Sequence, residues 1–252
     1  MPEQPEHWVE PKAGFQYLAD TVSVTPAHQA EKLASCDIDA TLFGHQIDPA
    51  FFIGIAIQAG IRSGISAEGN INMLQGLQMH RPALLDEPFN VRGEIIDVSA
   101  VPRGRRVRTD VWFEDQQGQR VISAVRTSLR PDLTAADKGG AGERPQPVIA
   151  DPAQLQILNK YTLTAERVKA YSMEGNSIHY EQKAAEQAGF RAPLIGGGMG
   201  VHYLTAELWR RYSPKAFNAD IYFRRPIFWD ESVRVGVQVS ANDHWSAMAV
   251  LK

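Results

Sequence analysis

The sequence predicts an α+β protein built as a tandem of two related units, and three observations carry that prediction. The heptapeptide RPALLDE at 81–87 recurs as RPIFWDE at 225–231, an offset of 144 residues, with Arg, Pro, Asp and Glu at matched positions. Upstream of each copy a short strand-like stretch runs into a threonine that opens a helix: VSVTPAHQAEKLAS at 22–35 and YTLTAERVKAYS at 161–172. Each half then holds a second helical stretch, 49–64 and 198–212, followed by segments in which apolar residues alternate, the period of a half-buried strand.

The helix starts follow from Thr25 and Thr164, whose hydroxyls are suited to accept an orphan amide of a first turn. The stretch PAFFIGIAIQAGIRSG is apolar on nearly every face. Such a helix is tolerated only when protein surrounds it, so a sheet is expected to wrap it. After Arg81 the first half lays down strands near 89–98, 105–114 and 119–129, the last two joined by the polar turn DQQGQ with Gly118. The second half offers 231–240, with Val233, Val235, Val237 and Val239 in alternation, a turn at 241–244, and 245–251. It has no counterpart of 119–129. Its sheet is therefore expected to end one strand early or to be completed by another segment, and an exposed edge of this kind favours a homodimer.

Residues 132–152, rich in Gly, Pro, Ala and charge, read as a surface linker. The expected organisation is a first half at 1–131, the linker at 132–152, and a second half at 153–252. The two sheets are expected to join edge to edge around a shared core, with a helix behind each.

Composition excludes several function classes. The chain has 252 residues, 44% of them hydrophobic, and a formal net charge of −3 from 26 basic and 29 acidic side chains. That balance builds no field for gathering nucleic acid. The apolar stretch around Phe51 is too short for a membrane span, and the opening MPEQPEHWVEPK lacks the features of a secretory signal. A cytoplasmic protein is expected. The single cysteine, Cys36, permits no internal disulfide and no Cys-based zinc site. Neither a metal nor a cofactor is expected.

Residues 171–200, YSMEGNSIHYEQKAAEQAGFRAPLIGGGMG, differ in kind from the rest. Glu174, Asn176 and His179 fall within six residues, and Gly196, Gly197 and Gly198 precede the helix beginning near Met199. From Thr164 to Arg225 the second half is five residues longer than the first from Thr25 to Arg81. One half therefore holds the candidate site and the other supplies mostly wall. A carboxylate and an imidazole on one loop can share a water for addition across a carbon–carbon double bond. Backbone amides at the glycine cluster, at the positive end of a helix, can hold charge developing on an acyl oxygen. Asn176 suits either its own turn or a substrate contact, and His202 is a further candidate contact. His45 and Asp48, before the first-half helix, form a weaker second polar site. The recurrence of Arg81 and Arg225 argues for a shared role at the sheet entry.

The same stretch resembles the motif of the MaoC-like (R)-specific enoyl-CoA hydratases, roughly Y-[SA]-x-x-[ST]-G-D-x-N-P-x-H, followed by A-x-x-x-G-F-x-x-P-I and a glycine-containing helix start. Glu174 stands at the catalytic Asp of that pattern, Asn176 on its Asn, Ser177 on its Pro and His179 on its catalytic His. Ala185, Gly189, Phe190, Pro193 and Leu194 match the second segment, and Gly197 matches the glycine that polarises the thioester carbonyl. Glu for Asp lengthens the base by one methylene, and Gly196 replaces a His. The resemblance implies a tandem (double) hot-dog, each half a curved antiparallel sheet around a long central helix. It also implies a hydratase or dehydratase acting on an acyl thioester of CoA or of acyl carrier protein, with Glu174 and His179 catalytic and Gly197 and Gly198 binding the acyl oxygen. A thioesterase of the same fold and a non-catalytic acyl-binding subunit are the alternatives.

Overall fold

A computed structural model describes residues 8–132, 146–173 and 176–252. Most of the expected linker, and Glu174 itself, lie outside these residues. The described chain forms two compact units that cut across the repeat. Residues 30–44 group with the second half, and 214–224 with the first.

The first unit is a six-stranded antiparallel sheet. Its strands are β1 (Asp20–Val22), β2 (Ile71–Met79), β3 (Phe89–Val101), β4 (Gly104–Glu114), β5 (Arg120–Pro131) and, from late in the chain, β7 (Phe217–Tyr222), in the order β1-β3-β4-β5-β2-β7. Register shifts at Asn72/Leu74, Ile95/Asp97 and Phe113/Glu114 interrupt the ladders, the kind of irregularity that bends and coils a sheet. The helix α2 (Phe51–Arg62) packs on β3 and β5. Phe52, fully buried, meets Phe89 edge-on at 5.6 Å and Phe113 at 4.7 Å. α2 is less enclosed than its composition predicts: Gly54 is exposed, and Ile55, Ile57 and Gln58 are half-buried. The sheet covers one side of the helix only.

The second unit contains most of α1 (Pro26–Ser35), α3 (Ala165–Ser172), a short α4 (Gln182–Gln187) and α5 (Gly197–Arg211). Its sheet has three strands in the order β6-β8-β9: β6 (Gln156–Thr162), β8 (Ser232–Val239) and β9 (Trp245–Leu251). Val233, Val235 and Val237 on β8 are all fully buried. Among the described residues β9 pairs with β8 alone and forms an edge. Among the described residues this second sheet ends one strand early, without a counterpart of β5, and the strand that follows α5 pairs with β2.

The repeat reappears as duplicated hydrogen bonds. Ile47 N donates to Ala83 O and, 144 residues beyond Ala83, Ile227 O accepts from Ile195 N (2.8 and 2.9 Å). Leu85 N–His45 O and Trp229 N–Pro193 O form a second matched pair, both 3.0 Å. Glu87 accepts from Leu84 N and Glu231 from Phe228 N, so the repeated RPxxxDE is a turn stapled by its last carboxylate. Arg81 braces Glu87 and Asp115, while Glu231 is held by Arg191 and Lys252. Thr25 and Thr164 both accept a first-turn amide, as their sequence contexts predict.

Candidate active site

The site lies in the second unit, where three local structures meet. α3 delivers Tyr171 and Ser172; a 3-10 turn at Ser177–His179 follows; and α5 begins at Gly197. Asn176 holds the turn by accepting from Ile178 N through Oδ1 at 3.2 Å. A side chain that caps its own backbone in this way fixes the entry to the turn. His179 is thereby set facing the strand-like segment before α5, where its Nδ1 lies 2.8 Å from Leu194 O. A carbonyl only accepts, so Nδ1 carries the proton and Nε2 presents a lone pair. Burial pushes the imidazole pKa below its ordinary value, partly offset by the bond to Leu194 O, which keeps this tautomer neutral near pH 7.

Nε2 faces Gly196. A Cβ built at that glycine would sit 3.9 Å from Nε2, and no other atom of the described residues beyond its chain neighbours lies as near, so the absent side chain leaves space beside the ring among the described residues. Gly196, Gly197 and Gly198 are all partly exposed, and among the described residues no side chain caps the start of α5. The first amides of a helix have no intrahelical acceptor and carry the positive end of its dipole. Tyr171 closes the site on one side: a Cβ at Gly198 would meet its hydroxyl at 2.9 Å. Its ring packs edge-on to His202 at 5.5 Å, and its carbonyl accepts from Lys32 Nζ. His202 is buried at 1% exposure, behind Tyr171.

The first half gives an internal control. The bridges Gln46–Leu84 and Leu194–Phe228 put Gln46, Asp48 and Ala50 in register with Leu194, Gly196 and Gly198. In the first half Gln29 Nε2 donates to Gln46 O (3.0 Å), and Asp48 Oδ1 accepts from Ala50 N (3.0 Å). Asp48 is wholly buried. The same carbonyl that Gln29 occupies there is bound by His179 in the second half, and the amide position that a carboxylate seals there is left unsealed by Gly196. Asp48 thus holds the amide of Ala50, the residue before α2, in the first half. That contrast was present in the sequence as DPA against GGG, but only the duplicated turn shows that the positions correspond.

Both halves together define a double hot-dog protein. No protein-family model and no curated protein sequence matches the chain, but solved structures do. HtdX from Mycobacterium tuberculosis superposes with a TM-score of 0.73 at 18% identity, covering 91% of this chain and 93% of its own. A MaoC-like dehydratase from Phytophthora capsici gives 0.68 at 16% identity and 93% coverage of both chains. A second Mycobacterium tuberculosis protein, described as having a double hotdog fold, gives 0.60 at 12%, with 93% and 87% covered.

Proposed function

We propose that the chain adds water to 2-enoyl thioesters, or removes it from the 3-hydroxyacyl thioesters, at the second-unit site. The observation that carries this reading is the uncapped start of α5 beside His179 Nε2, at the position where the first half is closed by Asp48.

In the proposed reaction a water is held by His179 Nε2 and the carboxylate of Glu174. One of them takes a proton as the water oxygen bonds to C3. The π electrons move through C2 onto the thioester oxygen, where the amides of Gly197 and Gly198 stabilise the developing charge. C2 then takes a proton from the protonated base, and the carbonyl re-forms. The addition is redox-neutral and calls for no cofactor. The name of the Phytophthora neighbour, a dehydratase, supports the same class of chemistry, and the motif at 171–200 supports Glu174 as the carboxylate.

The test is to incubate the protein with 2-enoyl thioesters of several chain lengths, on CoA and on acyl carrier protein. Reversible loss of the enoyl absorbance without release of thiol is expected. Release of free thiol would make the protein a thioesterase, and neither change on any substrate would remove the catalytic reading. Glu174→Gln is expected to lower kcat/KM by about 10²–10⁴, the usual worth of a positioned acid or base. Glu174→Asp, which restores the shorter side chain of the resembling family, is expected to retain activity on simple enoyl thioesters.

A further inference from the structure

The concave face of the first unit carries a charge where its alternation calls for an apolar residue. On β5, Ile122, Ala124 and Ser128 are buried on one face at 3% exposure or less, and Arg126 is in phase with them. Its cross-strand neighbours are Gln75 on β2 and Thr109 on β4. The guanidinium Nε donates to Asn72 Oδ1 at 2.5 Å. Among the described residues no carboxylate forms a salt bridge with it; the ionisable group that acts on it is the phenol of Tyr17. Burial pushes the Arg126 pKa down to about 10, so it stays a cation at pH 7. A cation on a core-facing strand with no counter-charge is costly, and at a cavity it marks a candidate functional group.

Arg126 lines such a cavity, together with Tyr17, Ala56, Ile57, Ile65 and Thr109. Tyr17 is seated there by two glycines: a Cβ at Gly60 would meet its hydroxyl at 3.0 Å and one at Gly93 its ring at 2.6 Å. The cavity measures about 20 Å³, and since about 10–15 Å³ holds one water, it has room for one or two waters, the space of a carboxylate's two oxygens and not of an acyl chain. The guanidinium is a planar fork matched to a carboxylate. The apolar walls at Ala56, Ile57 and Ile65 suit the carbon stem behind one.

We propose that this cavity is a carboxylate-binding site, in which Arg126 receives the carboxylate of a small organic acid. A phosphate, larger and more highly charged, would find one cation and a cavity smaller than itself.

The experiment is titration calorimetry on the whole chain at constant ionic strength, comparing propionate with propionamide, which has the same shape and no charge. Saturable binding of propionate and none of propionamide is expected. Arg126→Met should weaken propionate binding by about tenfold or more, the worth of a charged hydrogen bond, and Arg126→Lys should weaken it less. Equal behaviour of propionate and propionamide would overturn the proposal, as would undiminished propionate binding by Arg126→Met. Displacement of propionate by equimolar chloride or inorganic phosphate would overturn it too, by making the cavity an inorganic-ion site. Should Arg126→Met not fold, the wild-type comparison and Arg126→Lys still decide.

Discussion

His179 combines a proton fixed on one nitrogen with a lone pair on the other, and its environment determines the pH range over which that holds. Because burial lowers its pKa, the neutral ring persists to more acidic pH than an ordinary histidine of about 6.5. The acidic limb of kcat/KM is expected below pH 6.5, and His179→Gln is expected to remove that limb and to lower kcat/KM by about 10²–10⁴. The same shift bears on stability. A folded-state pKa below the unfolded one means that the unfolded chain binds more protons between the two values. The contribution is complete above pH 6.5 and is lost as pH falls through the folded pKa, so urea midpoints of wild type and His179→Gln should converge on acidification. Of the site residues, His179, Asn176 and the glycines were legible in the sequence because they sit in one short motif. Arg126 was not, because in VISAVRTSLR a single Arg reads as an outward-facing charge until the register of β5 fixes its face.

Two helix starts of common descent in the repeat have opposite endings. α2 is preceded by a buried aspartate that satisfies Ala50 N, and α5 by a glycine that satisfies nothing. Gly196→Asp should therefore convert the second start into the first. With the amides of α5 capped internally and a carboxylate beside His179, kcat/KM is expected to fall by about 10²–10³, the worth of an oxyanion donor, while circular dichroism and Tm stay near wild type. Further along α5, Glu207 is buried and binds Arg210, Tyr161 Oη (2.8 Å) and Asn159 Nδ2 (3.2 Å). Desolvation, the largest influence, pushes the Tyr161 pKa up to about 12, so the phenol stays a donor. Glu207→Ala leaves the Tyr161 hydroxyl without its acceptor and Arg210, which still donates to Tyr161 Oη, without its carboxylate. A loss of about 2–4 kcal/mol in urea unfolding is expected, below the full worth of a buried pair because Arg210 is partly exposed. Helix starts were legible through Thr25 and Thr164. The strands β2 and β7 were not, since INMLQGLQM and FNADIY carry Gly, Asn, Gln and Asp where β-branched residues would announce a strand.

Those two unannounced strands join the halves of the sequence. β2 and β7 pair antiparallel from Leu74–Tyr222 to Met79–Phe217, with Gly76 opposite Asp220. Under the 144-residue repeat Gly76 maps onto Asp220 itself, so the register is its own mirror about that pair. Among the described residues the two sheets do not join edge to edge as expected; one strand of the second half completes the sheet of the first instead. A chain ending at residue 131 would retain β1 to β5 and leave the β2 edge bare. Such edges recruit other strands, and static light scattering is expected to report oligomers or aggregate for that fragment, where the full chain gives a discrete mass.

The pairing of β2 with β7 also has a consequence for how the protein is made. About 140 residues separate Met79 from Phe217, and at roughly 5–20 residues per second on the ribosome that interval lasts about 7–28 s. Throughout it β2 is finished and its outer neighbour does not yet exist. Contacts this distant in sequence also form slowly once both partners are present. The nascent first half therefore waits as an unsealed template while the second half is made, and the interval in which a chaperone would have most to shield ends only when β7 has cleared the exit tunnel.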